Sequence, residues 1–392
     1  IDGRPVNNDA NMQSTPAFSN YGSSYVNYGT DMREISTEDI DNVEIVRGIA
    51  SVKYGDLTSG LVNITRKRGG KDLHARFKSD MKSKLFYLGK GFEWGDDSDR
   101  RTINASVNYL DSRSDPRQTR QNWKRLTSSV RFGRDMRNED FTKSFSVNLD
   151  YIGSFDNQKS DVDLDKTEGG MPIETYKSTY NKYSVGTRFS IKSRDGDKIF
   201  RSWEGSASVT YENDQINRWR HVSLGKASPV STSLEPGEHD AIMIPAKYDA
   251  TLKVEGRPFY GFASTSAVFA KGRSRLEVGV EWNMDKNYGR GTIFDAARPF
   301  STSMSVRPRP YSIIPANHRF SAFAEESISK DIGKFSLDWV LGLRAEMMAG
   351  AGNKFDVNLK PYLDPRSNLR LAFPVIQVGE YKLVTSIYGG IG

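Results

Sequence analysis

Three carboxylates at alternate positions, Asp161, Asp163 and Asp165, open the segment 161–169 the way a calcium loop begins. Such a loop holds a hard cation through oxygens and needs glycine at its sixth position, where this chain has Lys166. The expectation is a solvated loop tip, with calcium there the one cofactor left open. His74, His221, His239 and His318 are scattered without ligand spacing, so no metal site is expected among them. Cysteine is absent, which removes disulfides, thiolate zinc sites and cysteine nucleophiles. No nucleophile elbow, phosphate loop or zinc-protease motif occurs, so no enzyme is expected. The chemistry left is recognition. In Asn7–Gln13 and the tyrosines that follow, Tyr offers a rigid amphipathic face and Asn adaptable hydrogen bonds. Asn8, Asn11, Tyr21 and Tyr25 are the expected ligand contacts.

The elements that would position such residues are strands. Hydrophobic residues make up 36% of the 392, charged residues 27%, and mean hydropathy is −0.61. No apolar run reaches the ~20 residues of a spanning helix. A transmembrane β-barrel stays compatible with these values, because only alternate residues face lipid. The net charge of +7 is spread along the chain, and no basic cluster points to nucleic acid.

From about residue 72 the pattern has period two. Ile103, Ala105, Val107 and Tyr109 alternate with Thr102, Asn104, Ser106 and Asn108; Phe145, Val147, Leu149 and Tyr151 alternate with Ser144, Ser146, Asn148 and Asp150. Leu276, Val278, Val280 and Trp282 alternate with Glu277, Gly279, Glu281 and Asn283. Strands are expected near 72–81, 84–94, 101–112, 124–135, 143–155, 181–193, 201–214, 258–270, 274–286, 317–329, 334–347, 366–377 and 380–392, thirteen in all. Connections near 95–100, 136–142, 194–200, 271–273, 330–333 and 378–379 are short; those near 113–123, 156–180, 215–257, 287–316 and 348–365 are long. The hairpin at Lys82–Ser83 is the exception. Alternating lengths suit an up-and-down barrel across an asymmetric membrane. Trp94, Tyr109, Trp123, Tyr151, Phe155, Tyr183, Trp203 and Trp282 could form interfacial girdles.

The first seventy residues differ. Ile1–Val6 is an expected short strand, Ser36 or Thr37 an N-cap, and 43–46 and 60–66 further strands of a small α/β unit. The block Ser36–Gly55 contains Glu38-Asp39-Ile40 and Val43-Glu44-Ile45-Val46-Arg47-Gly48 and ends in Tyr54-Gly55; it continues through Gly60-Leu61-Val62-Asn63-Ile64 to Lys67. This wording, with Ile1-Asp2-Gly3-Arg4-Pro5-Val6 before it, resembles the plug domain of TonB-dependent outer-membrane receptors over about 65 residues. Val254–Phe259 and Pro308–Tyr311 look like receptors of the Bacteroidetes type.

The resemblance implies a mainly β protein: residues 1–70 as the C-terminal part of a plug, and 71–392 as the N-terminal part of an outer-membrane β-barrel of an expected 22 strands. It implies active import of a nutrient (siderophore, cobalamin, peptide or oligosaccharide) in a Gram-negative outer membrane. Implied partners are the TonB-ExbB-ExbD complex, the nutrient, and lipid or lipopolysaccharide; a surface lipoprotein stays open. Glu44, Arg47, Gly48, Tyr54, Gly55, Gly60 and Asn63 carry the plug motif, with Glu44 and Arg47 expected to pair with the barrel wall. The chain lacks an initiator Met and stops inside an expected strand, so an interior fragment is expected. The alternatives are a passive porin-like channel and a soluble β-rich binding protein.

Overall fold

The computed structural model describes residues 1–6, 35–55, 60–113, 121–159, 174–231, 233, 237–300, 308, 310–350, 352, 356–374, 376–378 and 381–392. A 3₁₀ turn at Thr37–Asp39 leads into the antiparallel hairpin of β1 (Ile40–Arg47) and β2 (Gly60–Arg66). Ser36 stands at the N-cap position of the turn, but its hydroxyl makes no cap bond.

The wall follows. Its strands are β3 (Leu73–Ser79), β4 (Ser83–Gly95), β5 (Asp99–Ser112), β6 (Gln121–Arg137), β7 (Phe141–Lys159), β8 (Glu174–Ser193) and β9 (Phe200–Ser223). After β9 come the short β10 (Ser228–Ser231), β11 (Ala241–Ile244) and β12 (Lys247–Gly256). Then follow β13 (Pro258–Lys271), β14 (Ser274–Asn287), β15 (Gly291–Phe294), β16 (Asn317–Ile332), β17 (Phe335–Ala349) and β18 (Pro361–Ala372). The small pair β19 (Ile376–Val378) and β20 (Tyr381–Leu383) precedes β21 (Ser386–Ile391). One antiparallel path runs β3-β4-β5-β6-β7-β8-β9-β13-β14-β16-β17-β18-β21, which is thirteen strands. The mainly β architecture and this strand count are those expected from the period-two pattern.

The wall is inverted relative to a soluble protein. On β4, Phe86, Leu88 and Phe92 are exposed while Tyr87, Gly89 and Gly91 are buried. Thr102 and Asn108 are buried on β5, Arg131 on β6, Ser146 and Asn148 on β7. An outward apolar face and an inward polar one are what a membrane-spanning strand requires. Aromatic pairs band the outside at both ends. Phe141–Phe200 (6.3 Å), Phe200–Phe269 (6.2 Å) and Phe189–Trp203 (4.8 Å) lie at the short-turn end. Phe77–Phe86 (4.8 Å) and Tyr151–Tyr183 (5.2 Å) lie toward the other.

The tight turns follow from local chemistry. Gly272 and Gly333 hold φ +61° in the two-residue turns β13–β14 and β16–β17, a region costly for a residue with a Cβ. Asp96 caps the β4–β5 turn by accepting from the amides of Ser98 and Asp99, each at 2.8 Å.

Two differences from the sequence reading stand out. The last two strands are Pro361–Ala372 and Ser386–Ile391, not 366–377 and 380–392. Between them lies a longer connection that contains the separate antiparallel pair β19–β20. Second, the long connections 215–257 and 287–316 carry strands among their described residues. β9 runs on to Ser223, β12 pairs with that extension, and β15 pairs with β12. This cap encloses an apolar core of Ile216, Val222, Ile244, Tyr248, Ala250, Leu252, Val254, Phe300 and Tyr311. Phe300 is fully buried under the guanidinium of Arg218, 4.8 Å from its ring.

Candidate functional site

Inside the wall the inward polar residues meet the β1–β2 unit at two places. The first begins at residues 1–4, which form a turn and not the short strand expected over Ile1–Val6. Asp2 (φ +52°) and Gly3 (φ +76°) both occupy the left-handed region, which Asp tolerates better than most residues. The Asp2 amide donates to the Ile64 carbonyl at 2.8 Å, which docks the turn on β2. Its carboxylate accepts from the Arg66 amide (2.9 Å), the Arg66 Nε (2.8 Å) and Asn148 Nδ2 (3.2 Å). Arg66 then reaches across to the wall and donates to both carboxylate oxygens of Asp150 on β7, at 2.6 and 3.0 Å. Arg4 lies 3.7 Å from Asp2. Two guanidiniums thus face two carboxylates, a balanced set that a buried site needs.

Asp39, at the end of the 3₁₀ turn, is the second point on this side. Its carboxylate accepts from Tyr87 Oη (2.7 Å), Ser106 Oγ (2.7 Å) and Arg131 (3.2 Å). Burial pushes the carboxyls of Asp2 and Asp39 up. The charge of Arg66 on the one and Arg131 on the other, with their hydrogen bonds, outweighs burial and holds both below the usual carboxylate range. Both are therefore charged near neutral pH.

The second meeting place is chemically different. Here the wall supplies the charges and the loop 49–53 supplies backbone. Arg366 on β18 donates to the carbonyls of Ala50 (3.1 Å) and Ser51 (2.9 Å), and Asn368 to that of Ile49 (3.2 Å). Arg344 on β17, 1% exposed, donates to the carbonyls of Val52 (3.3 Å) and Lys53 (3.2 Å) and to Glu281 (2.8 Å). The Val52 amide donates to Glu325 (3.0 Å), and Lys53 pairs with Glu277 (2.9 Å). Val52 sits in a hole left by Gly342, where an added Cβ would fall 2.5 Å from its Cγ1.

The expected motif residues divide. Gly55 packs against the Arg344–Glu346 pair, 2.7 Å from where its Cβ would be. Gly60 (φ +146°) abuts the Val46 carbonyl as β2 begins. Gly48 has φ +83° in open space. Tyr54 is half-buried, and burial pushes its phenol up. Glu44 and Arg47 do not lock the unit to the wall. Both are exposed, and Glu44 accepts from Asn63 of the neighbouring strand at 3.3 Å. Glu44 lies opposite Asn63 in the hairpin register and bonds within the hairpin, whose strand β1 is exposed on both faces. The lock is carried by Asp2, Asp39 and Arg66, each inside a quoted motif, and by Asn148, Asp150, Glu277 and Glu281 on the polar faces already read. Arg131, Arg344 and Arg366 carry no sequence signal beyond their place in strands.

Asn8, Asn11, Tyr21 and Tyr25 lie outside the described residues, as does the acidic segment 161–169. Among the described residues no group of three His, Asp or Glu side chains could hold a metal. A pocket opens beside the first meeting place, lined by Arg4, Asp39 and Arg66 on one side and by Ser106, Asp150 and Glu212 of the wall on the other. Val6 and Ile35, the described residues on either side of 7–34, both line it.

No family model matches the sequence, and no curated protein matches it. Solved structures do match in fold. A structure of the copper transporter OprC superposes with a TM-score of 0.53 at 13% identity, covering 91% of this chain and 50% of that one. A mutant of the ferric enterobactin receptor PfeA from Pseudomonas aeruginosa, in complex with enterobactin, gives 0.50 at 16% identity, covering 97% and 52%. The chain thus spans about half the length of these proteins. Its fold is that of part of a TonB-dependent outer-membrane receptor, plug and β-barrel wall together.

Proposed function

We propose that this chain is the plug-and-wall portion of an importer that carries a scarce nutrient across a Gram-negative outer membrane, energised by the TonB-ExbB-ExbD complex. One observation supports this most. A separate folded unit sits inside a wall whose outer face is apolar, and charged and polar groups carry most of its hydrogen-bonded contact with that wall. A passive pore has no use for an obstruction held this way. Charge pairs in a wet, polar lumen hold the plug at rest and can exchange for water when it is pulled. The nutrient would be met first at the long-loop end, where the cap stands. Siderophore, cobalamin, peptide and oligosaccharide all remain within this reading, and the two superposed structures concern copper and ferric enterobactin. Lipid or lipopolysaccharide would contact the outward face, and a surface lipoprotein would have the cap to sit on.

The test is depletion of candidate nutrients from the medium by cells carrying the full-length protein, with and without functional TonB. Uptake that needs TonB supports the reading. Equal uptake without TonB would leave a passive channel instead.

A further inference from the structure

The fold gathers charge that the sequence scatters. Three short turns with their strand ends, 192–201, 271–275 and 330–334, hold nine Lys and Arg residues against Asp195, Asp197 and Asp331. That excess of six is most of the chain's +7. The three turns lie side by side, because β8, β9, β13, β14, β16 and β17 are consecutive neighbours in the wall. They are also tied to one another. The Ala270 amide donates to the Ile199 carbonyl at 2.8 Å, and the Ser329 amide to the Arg273 carbonyl at 3.1 Å. Arg273 pairs with Asp331 at 2.5 Å. The neighbouring arc of the same rim is balanced. Segments 95–101 and 134–143 hold five basic and six acidic residues, and Asp99 is shared by Arg101 and Arg134 at 2.7 Å each.

Strand alternation decides which of these cations face the membrane. Lys271 shares the outward face of Phe269, and Lys330 that of Ile328, each two residues nearer the rim. Phe269 packs on Phe200 in the outer aromatic band, at 6.2 Å. Lys198 lies over the ring of Phe141, at 5.7 Å, and pairs with Asp140 at 2.8 Å. On the outward face Glu326 is engaged by the Ser274 hydroxyl. Lys271, Lys330 and Lys334 are exposed and have no ion-pair partner among the described residues. Aromatic rings mark the boundary between acyl chains and headgroups. Lysines just beyond them can lay their stems on apolar surface and hold the ammonium at phosphate level.

We propose that this arc, centred on Lys271, Lys330 and Lys334, binds the phosphate headgroups of anionic phospholipid in the leaflet at the short-turn end. The orientation rests on the importer reading, in which short turns face the periplasm and the leaflet on that side is phospholipid. The arc lies on the strands that carry Glu277, Glu325 and Arg344, the wall side of the socket for loop 49–53. A plug pulled from the periplasm would load that part of the wall, and headgroups bound at its rim would brace it.

The test places the full-length protein in nanodiscs of equal phosphatidylglycerol and phosphatidylcholine. Native mass spectrometry then counts the lipids it retains on release. The parent is expected to retain phosphatidylglycerol in preference. Lys271→Gln/Lys330→Gln/Lys334→Gln is expected to lower that preference by about fivefold or more, the worth of roughly one basic residue at an anionic surface. Arginine at the same three positions should keep it. Lys84→Gln/Lys124→Gln/Lys177→Gln, at the opposite ends of wall strands, should leave it unchanged. The proposal is overturned if the parent shows no preference, if the glutamine triple matches the parent, or if the opposite-end triple lowers the preference equally. Displacement of the lipid by inorganic phosphate, at an ionic strength where chloride leaves it bound, would make this a site for free phosphate and overturn the lipid assignment. A lipid preference that behaves as expected beside TonB-independent uptake leaves the arc standing and the importer reading fallen. TonB-dependent uptake without the preference gives the reverse.

Discussion

Strands β5 and β12 alternate in the same way and are buried in opposite senses. On β12, Tyr248, Ala250, Leu252 and Val254 are buried, and Lys247, Asp249 and Thr251 are exposed. On β5 it is Thr102 and Asn108 that are buried, and Val107 that is exposed. Period two alone states that a strand has two faces. It does not state which face water sees. The cap follows the ordinary rule, with an apolar core shielded from solvent. The wall follows the membrane rule, and its interior must be held by hydrogen bonds and charge pairs. The two regions should therefore fail differently.

The largest expected effect is at the plug. Arg66→Ala leaves Asp2 and Asp150 as carboxylates without their shared cation. Breaking one partner of a buried ionic set costs about 3–5 kcal/mol. Hydrogen exchange should show residues 1–6 and 60–66 opening while the wall strands and cap stay protected. Opening spread equally over the cap would mean the two regions are not separate units.

Leu252→Ala makes the corresponding break in the cap, where the side chain is 1% exposed. A cavity of this kind costs about 2–5 kcal/mol. Loosening should be confined to β9 beyond Gln215, β12 and β15, and the plug amides should not respond.

Acid separates the regions without mutation. The folded carboxyls of Asp2 and Asp39 lie below their unfolded values. Their contribution to plug seating is complete above the unfolded range, roughly pH 4, and is lost as pH falls through the folded values. In the cap, the hydrogen bond from Arg290, working against burial and joined by Lys253, holds Glu255 at about 2. The contribution of that edge pair fades over the same range below its unfolded value, but the Leu252 core beside it contains no carboxylate. Limited proteolysis on lowering pH from 6 toward 3 (the range set by these carboxyl pKa values) should cut the plug first. Simultaneous cutting of the cap would contradict the division.

How much of this was legible follows from the same contrast. The thirteen strands could be read because both faces of a wall strand are strongly marked. Ser106, Asn148, Asp150 and Glu277 are legible as polar-face residues, and each makes a plug contact. What a single sequence withholds is pairing at long range. Asp39 meets Arg131 and Arg66 meets Asp150 across the lumen, and no local spacing encodes that. Glu44 and Arg47 drew attention as charges in a motif, yet the hairpin register turns Glu44 toward Asn63. The cap is hidden by its place in long connections, which read as loops, although Tyr248, Ala250, Leu252 and Val254 show the same period two. The final turn was misplaced because β19–β20 imitates a wall hairpin in three residues a side.

The smallest effect probes a knob-and-hole contact between wall and plug, Val52 in the Gly342 hole. Gly342→Ala places a methyl 2.5 Å from Val52 Cγ1 and 2.8 Å from Cγ2, so one side must shift. Overpacking of this kind costs about 1–3 kcal/mol. The socket around it is stiff, because Arg344 is anchored on Glu281 and on the Val52 and Lys53 carbonyls at once. The loop cannot move without loosening those bonds, so exchange at 49–53 should quicken while Asp2 and Arg66 stay protected. Val52→Ala in the same chain removes both clashing carbons and should restore most of that protection. Failure of the second change to rescue the first would mean that volume does not set the fit. The socket would then be held by Arg344 and Arg366 alone, and the plug's two attachments would differ in where the charges reside but not in kind.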